Sequence, residues 1–274
     1  SPVLLEGSRG VGKSFLLRVC ERELSNNISQ DRVLPVYVQL TKSILVDTSN
    51  ESQFHYWTLA RLAVGLLRSL RAHGTAVNLD REISIMGGNP EEGSPDPINQ
   101  TVKDFEDSYL NRNENVDISN VPGVEQFKFG VEDICRKANL ERIVVLFDEA
   151  AHVLQPEHQR QFFTLFRDLR SPHISCNAAV YPGIMSYGDT FEQSHDATTV
   201  RVERDIRSDK YRTEMQSIVN VQAESETMKH VERQGQNFDT LAYAASGNPR
   251  FLLKTLSQVP YLGTGETKST VREY

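Results

Sequence analysis

The string richest in chemistry in this 274-residue chain is Gly7-Ser8-Arg9-Gly10-Val11-Gly12-Lys13-Ser14, which reads G-x-x-x-x-G-K-S. Glycines at these places let the backbone take positive φ and approach a ligand closely, so that successive N–H groups point at phosphate oxygens. A helix opening directly behind the loop adds unpaired N–H groups and the positive end of its dipole. Such a loop cradles a polyphosphate. Lys13 would extend to the β and γ phosphates and the Ser14 hydroxyl would ligate Mg²⁺. The residues expected to meet the nucleotide are therefore Gly7, Ser8, Arg9, Gly10, Val11, Gly12, Lys13, Ser14 and Phe15.

A second site of chemistry lies far downstream, in Arg142-Ile143-Val144-Val145-Leu146-Phe147-Asp148-Glu149-Ala150. An unbroken apolar run implies a strand buried on both faces, as at the centre of a parallel sheet covered by helices. Ligands of such sheets collect at the carboxyl ends of the strands, where this run places its two acids. Asp148 suits a carboxylate holding Mg²⁺, directly or through water. Glu149 suits a group that orients and polarises an attacking water.

The elements that must position these residues follow from periodicity. Val3-Leu4-Leu5 predicts a strand before the loop, and residues 14–24 a helix behind it. Residues 33–40 read as a second strand, with Pro35 near its start. A long helix is expected over 51–72, its stripe of Phe54, Trp57, Ala60, Val64 and Leu67 facing a core, with Trp57 as core rather than ligand platform. Residues 74–100 turn rich in Gly, Pro, Asn and Asp, which predicts a long surface insertion, read as a mobile excursion with a partner-binding loop as the alternative. Helices are expected over 102–110, 124–138 and 156–169, strands over 173–181 and 198–203, and helices again over 209–219, 226–233 and 238–245.

Composition sets the outer limits. Hydrophobic residues make 38% of the chain and charged residues 24%, which is the balance of a folded globular protein rather than a fibrous or disordered one. The longest apolar run, residues 143–147, is far short of a membrane span. Cys20, Cys135 and Cys176 are odd in number and unpaired in spacing, which argues for reduced thiols and a cytoplasmic location rather than a disulfide framework or zinc site. A net charge of -7 exerts no general pull on nucleic acid. Ser1 stands two residues before the first expected strand and no Met opens the chain, so a piece of a longer protein is the expectation.

The acid pair resembles that of the additional-strand branch of P-loop ATPases. In that branch a Glu follows the Walker B Asp, and a further strand separates the phosphate-loop strand from the Walker B strand. Residues 173–181 supply a candidate for the extra strand. The family carries a polar sensor at its end, where this chain has Tyr181; packing of Tyr181 before Pro182-Gly183 is the alternative. Gly247-Asn248-Pro249-Arg250-Phe251-Leu252 is similar to the helical-lid motif of AAA+ and STAND ATPases, nearest to the origin-recognition-type subgroup. By itself the same string is a helix end at Gly247 and a helix start at Pro249. The resemblance implies lid contacts from Pro249, near the adenine, and from Arg250, at the phosphates.

With the resemblance comes a fold: an α/β P-loop NTPase with a five-stranded parallel sheet sandwiched by helices, ordered 5-1-4-3-2, and a small helical lid. The core would occupy 1–204, with an insertion at about 74–123, and the lid 205–274. The function implied is a slow Mg²⁺-dependent ATPase, with Lys13, Glu149 and Arg250 as its catalytic residues. It would act as a switch in a larger AAA+ or STAND-like protein, in signalling or defence, binding ATP and ADP and working on other domains of the same protein. The segment 182–197 holds no Arg, so the arginine finger of ring-forming AAA+ proteins has no match there, and Arg170, Arg201 and Arg204 are nearby substitutes without a motif; a STAND-like switch, with a nucleotide-dependent homo-oligomer as one form it could take, fits better than a trans-activated ring. The alternative reading is a DNA-binding initiator whose DNA contacts lie mainly beyond Tyr274. A kinase or GTPase is disfavoured by the lack of N-K-x-D and by the Glu after Asp148.

Overall fold

The computed structural model describes residues 2–46, 52–91, 93–108, 116–150 and 155–273. The start of the long helix at Glu51 and the end of the expected 102–110 helix lie outside the described residues. The chain divides into two compact units, one of Ser1–Glu6 with Ser14–Val200, the other of Gly7–Lys13 with Arg201–Tyr274. The division falls at Val200 rather than at residue 204. The glycine-rich loop groups with the helical residues, because its backbone is bonded to them.

In the first unit the order is β1 (Val3–Glu6), α1 (Lys13–Asn26), α2 (Ile28–Asp31), β2 (Val33–Gln39), a 3-10 turn (Thr41–Leu45), α3 (Gln53–Ala72), α4 (Asp80–Ile85), α5 (Pro97–Asp107) and α6 (Val124–Lys137). Then come β3 (Arg142–Asp148), α7 (Pro156–Asp168), β4 (Ile174–Val180), α8 (Gln193–Asp196) and β5 (Thr198–Arg201). The five strands form one sheet in the order β2-β3-β4-β1-β5, which counted from the β5 edge is 5-1-4-3-2. The pairs β2–β3, β3–β4 and β1–β4 are parallel, with Gln39 opposite Asp148 and Phe147 opposite Ala178.

Alternation along the strands separates two faces. Leu4, Leu34, Val36, Val38, Ile143, Val145, Phe147, Cys176, Ala178 and Val180 enter one large core, together with Phe54, Trp57 and Leu66 of α3 and Phe162, Phe163 and Phe166 of α7. Leu5, Tyr37, Val144, Leu146 and Ala179 point the other way and gather around Leu17 of α1. Trp57 is fully buried in the larger core. Gly65 lets α3 sit close to the sheet, since a Cβ there would lie 3.2 Å from side-chain carbons of Val36 and Val38.

The segment 74–100 departs from expectation. Leu79, Met86 and Ile98 are fully buried and Ile83 nearly so, all within the larger core, so this part of the insertion is packed rather than a loose excursion. Arg71 adds a polar tie: its guanidinium donates to both carboxylate oxygens of Asp96 at 2.5 and 2.6 Å, and Asn89 N–H donates to the same carboxylate at 2.8 Å. The turn residues of the segment punctuate two short helices instead of freeing the chain.

The second unit carries α9 (Tyr211–Gln222), α10 (Ser225–Arg233), α11 (Gly235–Ala244), α12 (Pro249–Gln258) and α13 (Thr264–Glu273). Its own core centres on Tyr211, Met215, Phe238, Leu241, Leu252 and Leu262. The Tyr211 hydroxyl donates to Ala242 O at 2.6 Å and accepts from Gly247 N at 2.8 Å, which fixes the α11–α12 corner. Among the described residues no helix is long and apolar enough to cross a membrane.

Candidate functional site

In the helical unit the loop Gly7–Lys13 lies against the α11–α12 corner. Gly10 and Gly12 take φ of +93° and +105°, backbone that L side chains rarely adopt. A Cβ on Gly10 would also fall 2.6 Å from Asn248 Oδ1 and 3.0 Å from Arg250 Cβ, whereas one on Gly12 would meet nothing within 4 Å. Gly10 is thus demanded twice, by conformation and by contact, and Gly12 by conformation alone. Asn248 Nδ2 donates to Arg9 O at 2.7 Å, while its Oδ1 caps α12 by accepting from Phe251 N at 3.2 Å. Arg204 Nη1 donates to Val11 O and to Gly247 O, each at 3.3 Å, and Arg250 N–H reaches Gly10 O at 3.5 Å.

Pro249 occupies the first turn of α12, where its missing N–H costs nothing. Arg250 is exposed just behind it. The loop and the Gly-Asn-Pro-Arg string, 234 or more residues apart in sequence, are therefore brought together within this unit. Lys13 is nearly buried, with its ammonium donating to Gly7 O at 2.6 Å and Ser8 O at 3.0 Å. Those bonds hold its charge over the loop. The exposed loop residues Ser8 and Arg9 complete the set expected from sequence.

In the sheet unit the alternation just described decides the second cluster. Asp148 shares the α1 face with Val144 and Leu146, and there Ser14 Oγ donates to Asp148 Oδ1 at 2.9 Å. Tyr37, on the neighbouring strand, donates its hydroxyl to the other carboxylate oxygen, Oδ2. Glu149 N–H donates to Oδ1 at 2.9 Å. Asp148 is almost completely buried yet well supplied with donors, which satisfies a buried carboxylate. The Arg18 guanidinium carbon lies 3.3 Å from the centre of the Tyr37 ring. Burial, and then the bond to Asp148, push the Tyr37 phenol far above its ordinary range, so it stays a donor.

Glu149 departs from the strand in the left-handed region, with φ +58°. For a non-glycine residue this is uncommon and costs about 1–2 kcal/mol. The turn redirects its side chain to the end of β2, where Thr41 Oγ1 donates to Oε2 and Gln39 Nε2 lies 3.4 Å from the same oxygen. Phe15 is 70% exposed on α1, and Tyr181 is half-buried just past the end of β4.

Ser14 and Asp148 present two hard oxygen donors, the type Mg²⁺ selects. The 2.9 Å hydrogen bond between Ser14 Oγ and Asp148 Oδ1 sets the two oxygens side by side, and together they would be the protein's share of the ligands. No group of three or more His, Cys, Asp or Glu suited to a metal occurs among the described residues. A small protein donor set of this kind suits an ion completed by phosphate oxygens and water rather than an all-protein cage.

No motif in the sequence marks Tyr37 or Thr41 as partners of these acids. For Tyr37 a signal existed: Leu34, Val36 and Val38 alternate with Tyr37 on β2, putting the phenol on the face opposite the main core. No protein-family model matches the chain, and no curated protein is detectably similar to it.

Proposed function

We propose that the chain is an Mg²⁺-dependent ATP-binding and ATP-hydrolysing domain with a P-loop NTPase fold, serving as the nucleotide switch of a larger AAA+ or STAND-like protein. One observation carries the reading: Ser14, which closes the G-x-x-x-x-G-K-S string, is hydrogen-bonded to Asp148 at 2.9 Å although 134 residues separate them. Glu149 stands beside that pair. The order 5-1-4-3-2, counted from β5, supports the same fold, with the phosphate-loop strand separated from the acid-bearing strand by β4.

In this reading the loop N–H groups and the Lys13 ammonium bind the β and γ phosphates, and Ser14 and Asp148 hold Mg²⁺. The ion would supply charge neutralisation at the transferring phosphoryl group. Glu149 takes a proton from the attacking water, and Arg250, exposed at the head of α12, contributes positive charge to the phosphates. Within the helical unit, the bonds from Asn248, Arg204 and Arg250 to the loop give nucleotide state a route to the α11–α12 corner.

The partners proposed are ATP and ADP, further domains of the same protein and a second copy in a nucleotide-dependent assembly, in the cytoplasm. The test is ATP binding and turnover by Lys13→Ala and Glu149→Gln. Lys13→Ala should lose ATP affinity, and Glu149→Gln should keep ATP bound while turnover falls at least 100-fold. Turnover that survives Glu149→Gln removes Glu149 from the role of base. Turnover that rises with DNA promotes the initiator reading instead.

A further inference from the structure

We infer that Tyr37 is a positioning residue for the Mg²⁺-binding carboxylate, an inference that rests on the ATPase reading above. Asp148 has two oxygens and only one orientation that keeps Oδ1 toward Ser14. Tyr37 fixes that orientation by taking Oδ2, and Glu149 N–H fixes it from the strand side by donating to Oδ1. The phenol is in turn held in place. Its ring lies in the small cluster with Leu17, Leu146 and Ala179, and the Arg18 guanidinium covers its face at 3.3 Å.

Arg18 and Ser14 are four residues apart and so share one face of α1. Helix α1 therefore grips the acid-bearing strand twice, once through Ser14 on Oδ1 and once through Arg18 on the tyrosine that holds Oδ2. Ser14, Asp148, Tyr37 and Arg18 form a closed ring of contacts between α1, β3 and β2. Groups that orient a metal ligand without touching the metal commonly change affinity for the ion 10–100-fold when removed. Tyr37 meets that description. Its hydroxyl donates to the carboxylate oxygen that Ser14 leaves open.

The experiment is a Mg²⁺ titration of fluorescent-ATP binding to the wild-type chain and to Tyr37→Phe, alongside binding in EDTA and a thermal melt of each. Tyr37→Phe keeps the ring and the Arg18 stack and removes only the hydroxyl. The expected result is an unchanged affinity in EDTA and a midpoint for Mg²⁺ raised about 10-fold, with turnover recovered at high Mg²⁺. An unchanged Mg²⁺ midpoint overturns the inference. So does an equal loss of affinity with and without Mg²⁺, which would make Tyr37 a general support. Absence of Mg²⁺-dependent binding in the wild-type chain overturns the ATPase reading itself, and the inference with it.

Discussion

Gly10→Ala and Gly12→Ala should separate two reasons for a glycine that sequence alone treats as one. Both positions lie near φ +100°, so alanine at either costs about 1–2 kcal/mol of backbone strain. Only at Gly10 does the new methyl collide, 2.6 Å from Asn248 Oδ1, and Asn248 cannot yield freely because it bonds Arg9 O and caps α12. Displacing it forfeits two hydrogen bonds of about 1 kcal/mol each. Gly10→Ala should therefore exceed Gly12→Ala by about 2 kcal/mol, or roughly 30-fold in the local opening equilibrium. Native-state hydrogen exchange of the α12 amides reads that equilibrium, Leu252 N–H on Asn248 O being one reporter. In an Asn248→Ala background the gap should narrow, which a double-mutant cycle measures. Equal exchange in the two glycine variants would refute the contact between loop and α12.

Other consequences follow from single groups. Asp96→Ala removes the partner of the part-exposed Arg71 guanidinium and strands the Asn89 N–H, and should lower stability by about 1–2 kcal/mol in urea denaturation. Burial raises the Asp96 carboxyl, but the bonds from Arg71 and Asn89 outweigh it and hold the group below its ordinary 3.8; Glu82 is likewise held below 4.5 by Lys137 despite its burial. A folded value below the unfolded one adds stability above the unfolded value and loses it as pH falls through the folded value, so melting temperature should drop below about pH 4, less steeply in Asp96→Asn. Tyr211→Phe strands Gly247 N–H and Ala242 O in the helical unit's core and should cost about 2 kcal/mol, read as faster exchange across the α11–α12 corner. Thr41→Val removes one donor from the Glu149 carboxylate and, if Thr41 helps hold that carboxylate in place, should lower ATP turnover about 2–10-fold at unchanged ATP affinity; an unchanged rate would show that Thr41 does not position Glu149.

Much of the fold could be read from local pattern. The apolar run ending in Asp148 marks a strand buried on both sides, and period two along it then dictates that Asp148 faces α1 while Phe147 faces α3 and α7. Gly247-Asn248-Pro249 announced a helix end and a helix start because φ, capping and the missing N–H are local demands. Residues 74–100 misled because Gly and Pro speak only for the backbone, whereas Leu79, Met86 and Ile98 were decided by burial against elements distant in sequence. The Arg71–Asp96 pair and the Tyr37–Asp148 bond depend on register and packing between such elements. Thr41 meets Glu149 because a left-handed residue turns the chain at the strand end, and a lone Glu after Asp carries no sign of that turn.

The most direct test of the central claim is ATP binding and phosphate release by the purified chain, with Mg²⁺ and with EDTA, beside Glu149→Gln. The account predicts ATP binding strengthened by Mg²⁺, slow phosphate release by the wild type, and ATP held without release by Glu149→Gln. No ATP binding in the presence of Mg²⁺ would contradict it.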